Sequence, residues 1–431
     1  MFLPPLIPKH ELTHFGKDFL AALRYAQTNY GDLVRVPLGN NLFYLLSHPE
    51  LAEEVLLKNK DSFSKLGSDG KKPGLQSILG QGILTNPDHE AWARQRQVLQ
   101  PFFTAKHVEQ LFELLKLTLS KGLKAWENQE TLELYQSFLA LGQHVIYQLL
   151  FSKDVPREPL SIPLGLAGRR SSHRKAALAH IHPSILEEIS ERKANQKGSD
   201  LLDLLDLLLE HYPEKHQENL LRDELMTIFA AGHETTASAI TWLCYLLLKH
   251  PQTLEQVLSE ISSQSLETAS DLQKLSYLKA AFKESLRLYP AIPLAPRVAL
   301  ETCELAGYQI PKGARLFVSI YNIQRHRDFW PEAESFKPER FLQANKGPRQ
   351  GYLPFGWGPR YCIGQQLAES QTLLSLYLIL KTFDLSLLSH EVEAKVAISL
   401  YPQSAIRVAL RAKHEREKPK DFDAFIPSGD K

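Results

Sequence analysis

Leucines recur at three- and four-residue steps through most of the middle of the chain, the signature of amphipathic helices packed on one core. The pattern predicts helix from about Pro87 to about Phe151 and almost wholly from Ala176 to Asp271. Within the second block, Leu221 to Lys249 reads as one long helix, with Asp223 and Glu224 near its start and His250-Pro251 as its stop. Shorter helices are expected over Phe19–Asn29, from Pro49 to about Lys58, over Lys279–Leu288 and over Gln365–Thr382. Period-two runs are few. Leu33–Leu38 and Leu42–Leu46, broken by Gly39-Asn40-Asn41, suggest a hairpin. Strands and turns are expected from Pro290 to about Arg315, and a β-like ending over Val396–Leu410. Residues 67–82 read as a mobile loop, and 154–173 as a loop or connector with a basic cluster (Arg169, Arg170, Arg174, Lys175) straddling its end. The pattern implies a mainly α, α+β chain: one large domain over residues 1–410, then a charged tail, 411–431, that frays.

Composition narrows the function classes. The 431 residues are 43% hydrophobic and 23% charged, which is ordinary for a globular protein. Fifty Lys and Arg against 49 Asp and Glu leave a formal charge of +1, with no hint of a nucleic-acid surface. Cys244, Cys303 and Cys362 stand far apart, in no disulfide framework, which suits a reducing compartment. The most apolar run, Ala239 to Leu248, is half the roughly 20 residues of a membrane span. MFLPPLIPKH is too short for a signal segment, and Phe2–Ile7 reads as a tail packed on its own domain rather than a membrane contact. A soluble, cytoplasmic protein with no transmembrane anchor is expected.

Several motifs fail on inspection. Gly80-Gln81-Gly82 starts like a dinucleotide fingerprint, but Thr85 stands where the third glycine belongs. His326-Arg327-Asp328 lacks the downstream Asn of a kinase catalytic loop. No HExxH or GxSxG occurs, and the sixteen histidines show no metal spacing.

The strongest chemical signal is Phe355-Gly356-Trp357-Gly358-Pro359-Arg360-Tyr361-Cys362-Ile363-Gly364. One cysteine sits in a glycine-rich loop just ahead of a helix. Glycines permit turns that aim backbone N–H groups at a sulfur. Those N–H groups, the helix N-terminus and Arg360 are expected to lower the thiol pKa. A lone thiolate held in this way suits a haem iron.

On these residues the chain resembles the cytochrome P-450 superfamily of haem-thiolate enzymes, whose FxxGxRxCxG pattern is met by Phe355, Gly358, Arg360, Cys362 and Gly364. Three further motifs follow in the family's order. Glu284-Ser285-Leu286-Arg287 resembles its ExxR helix, and Pro338-Glu339-Arg340-Phe341 the segment whose Arg340 completes that network, implying a role in fixing the Cys362 loop. Ala231-Gly232-His233-Glu234-Thr235-Thr236 lies in the long helix and reads as a local opening of its hydrogen-bond ladder. The resemblance implies that small Ala231 and Gly232 leave room for O2, that Thr235 hydrogen-bonds iron-bound oxygen, and that Glu234 helps relay protons. Trp92-Ala93-Arg94-Gln95-Arg96 resembles WxxxR, implying that Trp92 and Arg96 serve a haem propionate, with Arg360 a second and Arg297 a third propionate candidate.

The resemblance spans about Tyr30 to Leu410 and implies a triangular helical fold with a minor β-rich lobe. Haem b would sit between the Gly232-containing helix and the Cys362 loop. It implies a monooxygenase that inserts one atom of O2 into a C–H bond of a lipophilic substrate. That substrate would sit against the 67–86 loop, Phe229, Ala230 and Ala291–Leu294, and electrons would come from a separate ferredoxin or flavoprotein. A hydroperoxide isomerase or dehydratase, or a non-catalytic haem-binding sensor, are the alternatives. The short 154–173 stretch departs from the family's usual helix-loop-helix lid.

Overall fold

The computed structural model describes residues 2–12, 18–38, 41–65, 75–156, 171–195, 203–342 and 350–413. The Gly39-Asn40 turn, residues 67–74 of the expected loop, most of the 154–173 connector with Arg169 and Arg170, and the tail from 414 onward lie outside the described residues, as do the side chains of Arg174 and Lys175.

Helices carry the core. The long helix spans Glu218–Lys249 and is buried over most of its length from Leu221 to Leu247. It runs unbroken through Gly232, so the expected opening of its ladder does not form. The Leu134–Phe151 helix packs along it through two glycines. A Cβ on Gly142 would sit 3.2 Å from the His233 carbonyl oxygen, and one on Gly232 2.9 Å from Ile146 Cδ1. Gly232 thus lets Ile146 approach the helix closely, while it keeps some accessible surface of its own. The helices Ser276–Leu288 and Gln365–Thr382 complete the core around Phe138, Phe229, Trp242 and Phe282.

Among the described residues the strands are, in chain order, β1 (Leu33–Leu38), β2 (Asn41–Leu46), β3 (Phe63–Ser64), β4 (Thr131–Glu133), β5 (Leu294–Ala299), β6 (Cys303–Leu305), β7 (Tyr308–Ile310), β8 (Arg315–Ser319), β9 (Phe383–Leu387), β10 (Ala394–Val396), β11 (Leu400–Pro402) and β12 (Arg407–Ala412). The largest sheet runs β1-β2-β8-β5-β3 and is antiparallel except for β2 with β8. β4 and β9 flank β12, while β10–β11 and β6–β7 form separate hairpins. Four elements depart from the hydrophobic pattern. β4 and β9 are isolated strands flanking helices and are defined only by pairing with β12. Gln76–Leu79 forms a helical turn inside the expected loop. β12 continues to Ala412 because Arg411 and Ala412 pair with Asp384 and Phe383, so the first two tail residues are in register with the sheet.

The N-terminal segment divides by face. Ile7 is fully buried, while Phe2, Leu3 and Leu6 are exposed along the bridges Phe2–Tyr308 and Leu6–Arg35. No helix among the described residues is long and apolar enough to cross a membrane.

Candidate active site

The cysteine loop is shaped by glycine and anchored by its neighbours. Gly356 (φ 74°) and Gly358 (φ 77°) adopt left-handed backbone that other residues rarely reach. A Cβ on Gly358 would also lie 1.9 Å from the Leu56 carbonyl oxygen. The Cys362 N–H donates to the Phe355 carbonyl at 2.9 Å, while the Phe355 side chain packs against the main core. Gly364 caps the Gln365–Thr382 helix and aims its N–H at the Cys362 sulfur. Burial pushes the thiol up, and the Gly364 N–H and the Arg96 charge oppose this. The net direction is upward, against the sequence expectation, because desolvation outweighs both. An iron bound at the sulfur reverses that balance, since a coordinating thiol is deprotonated outright.

A buried ion-pair network holds this loop. Arg287 grips Glu284 through Nε–Oε2 at 2.7 Å and Nη2–Oε1 at 2.8 Å, both side chains fully buried. Arg287 also donates to the carbonyls of Gln324, Ala333 and Ser335. Glu284 Oε1 accepts further bonds from the Lys337 N–H and from Arg340. Gln324 in turn accepts the Leu353 N–H at 3.0 Å, two residues before Phe355. The chain Glu284–Arg287–Gln324–Leu353 thus fixes the approach to the cysteine, as the ExxR resemblance implies.

On the opposite wall, Ala231, Gly232, Glu234 and Thr235 keep accessible surface in the middle of the otherwise buried long helix. The Thr235 hydroxyl donates to the Ala231 carbonyl at 2.6 Å, so Oγ1 is available there as an acceptor. Glu234 accepts a 2.6 Å bond from the Ser399 hydroxyl.

Four cations converge beside the thiol. Arg360 stacks over the Trp92 ring at 4.1 Å and donates to the Asn86 carbonyl at 2.9 Å. Arg96 lies over Tyr361 at 4.3 Å, donates to the Tyr361 carbonyl at 2.9 Å, and has a second guanidinium nitrogen buried without a partner. Trp92 therefore serves as a platform for the arginines. Arg297, the third candidate, is deeply buried and donates to the Pro296 carbonyl. Sequence gave no sign of the fourth. Lys65 follows β3, whose Ser64 pairs with Val298 and so brings Lys65 beside Arg297. Burial, with Arg297 and Arg360 nearby, pushes the Lys65 amine well below its usual range. Burial, with Arg297 and Arg96, lowers Arg360 to about 9, and burial lowers Arg297 to about 10.

Among the described residues none of the four has an acidic partner. Buried charges need one. The carboxylates of an iron porphyrin, with its metal on the Cys362 sulfur, match both the charge and the thiol, so the residues present fit a haem. Lys65→Met is expected to speed haem transfer to apomyoglobin by about tenfold, one charged contact of roughly 1.4 kcal/mol. An unchanged rate would remove Lys65 from the haem contacts.

The failed glycine motif has a structural role. Gly80 (φ 58°) and Gly82 let their loop pack on the long helix, where a Cβ on either would lie about 2 Å from Asp223 or Thr227 (1.9 and 2.0 Å). The Gln81 and Ile83 N–H groups donate to Asp223 and Glu224. Burial raises Glu224 to about 8, and Gln95 links it onward to Asn86, whose carbonyl receives Arg360.

Comparison with known proteins agrees with this architecture. The family profile described as Cytochrome P450 matches residues 3–160 and 146–399. Cyclooctatin synthase of Streptomyces melanosporofaciens is 31% identical over 392 residues, 83% of each chain. Cyclooctat-9-en-7-ol 5-monooxygenase of the same organism is 33% identical over 394 residues, 83% of this chain and 82% of its own. The crystal structure of the cytochrome P450DA heme domain shares the fold, with a TM-score of 0.85 at 24% identity over 97% of this chain and 100% of that one. The sulfur, the ion-pair network behind it and the helix that faces it thus belong to one inherited arrangement, and the chain is a member of the cytochrome P450 family, with the activity of a monooxygenase.

Proposed function

We propose that the protein binds haem b through Cys362 and inserts one atom of O2 into a C–H bond of a lipophilic substrate, with electrons from a separate ferredoxin or flavoprotein. The observation that carries this reading is the pairing of a glycine-loop thiol with four clustered cations, one buried and three half-buried, that have no acidic partner among the described residues. Bound there, the iron porphyrin supplies oxygen activation. The chain's own residues do the rest. Lys65, Arg96, Arg297 and Arg360 hold the carboxylates. Cys362 is the iron ligand. The Thr235 hydroxyl donates to the Ala231 carbonyl, which leaves Oγ1 to accept from and hold a proton donor at the O2 side, while Glu234 supplies protons. Two relatives bear names that concern cyclooctatin and an unsaturated alcohol, which supports a lipophilic cyclic substrate. Tyr361, exposed beside Cys362, marks a short path for electrons from a docked donor.

The first test is the carbon monoxide difference spectrum of the reduced protein. A strongly red-shifted Soret band is expected, and a haem band without that shift would defeat the thiolate assignment. Thr235→Ala is expected to keep the shifted band yet cut product formed per electron pair about tenfold or more, the missing electrons appearing as peroxide. Unaltered coupling would remove Thr235 from proton handling.

A further inference from the structure

The acid and the alcohol of the Glu234–Thr235 pair point along different stripes of the long helix. Positions 231 and 235 share one stripe, and 234, 238 and 242 share another. The second stripe faces the turn between β10 and β11. Ser238 and Trp242 both donate to the Leu400 carbonyl, and the Ser399 hydroxyl donates to Glu234 Oε1 at 2.6 Å. Ser399 is fully buried. Tyr135, at the start of the Leu134–Phe151 helix, places its hydroxyl next to Ser399 and stacks its ring on Tyr401 with centroids 6.2 Å apart. The tyrosine is partly exposed, so this line of groups leads from solvent to the acid. Burial, then the Glu234 charge, push the phenol up, so Tyr135 remains a donor across the neutral range.

We propose that Tyr135 and Ser399 are proton-supplying positioning residues for Glu234, a two-hydroxyl line from the surface to the acid beside the O2 side of the site. The inference rests on the reading of Glu234 given above. The order of donors follows from proton counting. Ser399 has one proton and gives it to Glu234, so its oxygen is left to accept from Tyr135. In one passage the Ser399 O–H bond breaks as the Glu234 Oε1–H bond forms. The Tyr135 O–H bond breaks as Ser399 regains its proton, and a hydronium ion at the surface restores Tyr135 and leaves as water. The net change is one solvent proton on Glu234, with no electron moved. Neutral Glu234 then loses its charge-assisted bond to Ser399, roughly half that bond's strength, and is free to turn toward Thr235.

The same contacts could serve only to fasten the hairpin, so the test needs a readout that fastening does not move. The haem-loaded protein is supplied with NADPH through a surrogate ferredoxin and its reductase, with dodecanoic acid as the probe. Its NADPH oxidation is followed in mixtures of light and heavy water. Several protons moving in series give a curved dependence on deuterium fraction. Tyr135→Phe, which keeps the ring stack, and Ser399→Ala are expected to slow oxidation about tenfold or more and to abolish that curvature. Their melting points stay within about 2 °C of the parent, and the carbon monoxide band is unchanged. Ser399→Thr, which restores a hydroxyl, recovers the curvature. Parental rate and curvature in both variants, or losses that only track a fall in melting point, overturn the relay. A parent protein without the thiolate-type carbon monoxide band overturns the haem reading, and the relay with it. If Glu234→Gln retains the parental rate while Tyr135→Phe is slow, the relay does not run through Glu234.

Discussion

Arg287→Ala is expected to destabilise the protein by about 3–5 kcal/mol and to leave it unable to retain haem. Arg287 is fully buried and makes two bonds to Glu284 and three to backbone carbonyls. Its removal strands a fully buried carboxylate, with only Arg340 and the Lys337 N–H left on Glu284. It also leaves the carbonyls of Gln324, Ala333 and Ser335 short of a donor. Each stranded polar group costs about 1–3 kcal/mol, and a domain has only about 5–15 kcal/mol to lose. Arg287→Lys keeps the charge but not the fork that serves both carboxylate oxygens at once, so it should recover little. The measurement is the denaturant midpoint of both variants beside the parent, with the carbon monoxide band recorded on each. A loss below about 1 kcal/mol would show that solvent reaches the network.

This network also marks what the sequence could and could not disclose. The spacing of Glu284 and Arg287 places both on one helix face, and the apolar residues around them argue for burial. That much is legible locally. The partners are not. Gln324, Ala333 and Ser335 contribute carbonyls and Lys337 an N–H, and backbone groups carry no residue-type signal. Lys65 is invisible for a related reason. Its neighbours in the chain give no motif, and only the pairing of Ser64 with Val298 brings it to Arg297. Ser399 and Tyr135 reach Glu234 from elements more than 90 residues away on either side in the chain. The glycines carry a second use that the sequence leaves silent. Gly232 also admits Ile146, because a helix glycine is a place for another helix to approach. Gly358 reads correctly because its left-handed backbone is a local property. The Gln365–Thr382 helix is legible to the residue, while β4 and β9 exist only because β12 pairs with them.

Cys362→Ala is expected to abolish the red-shifted carbon monoxide band completely and to take monooxygenase turnover below detection. The reason is that no second thiol can substitute. Cys244 lies in the buried long helix, where burial raises it to about 12, and Cys303 lies half-buried in the β6–β7 hairpin, where burial also raises it. Lys65, Arg96, Arg297 and Arg360 are untouched by the substitution, so haem should still bind, more weakly, and give a carbon monoxide band at the position of a neutral or absent sulfur ligand. That separation is informative because Arg287→Ala should lose haem and fold together, whereas Cys362→Ala should lose only the thiolate signature and the chemistry that depends on thiolate electron release. Acid should partly mimic the substitution. The iron holds the sulfur as thiolate, the Gly364 N–H and the Arg96 charge assist it, and protonation of the sulfur at low pH should convert the shifted band of the reduced carbon monoxide complex to the unshifted one. Arg96→Leu removes one of the two groups that favour thiolate and should move that conversion to higher pH. A shifted band that survives in Cys362→Ala would place the iron ligand elsewhere.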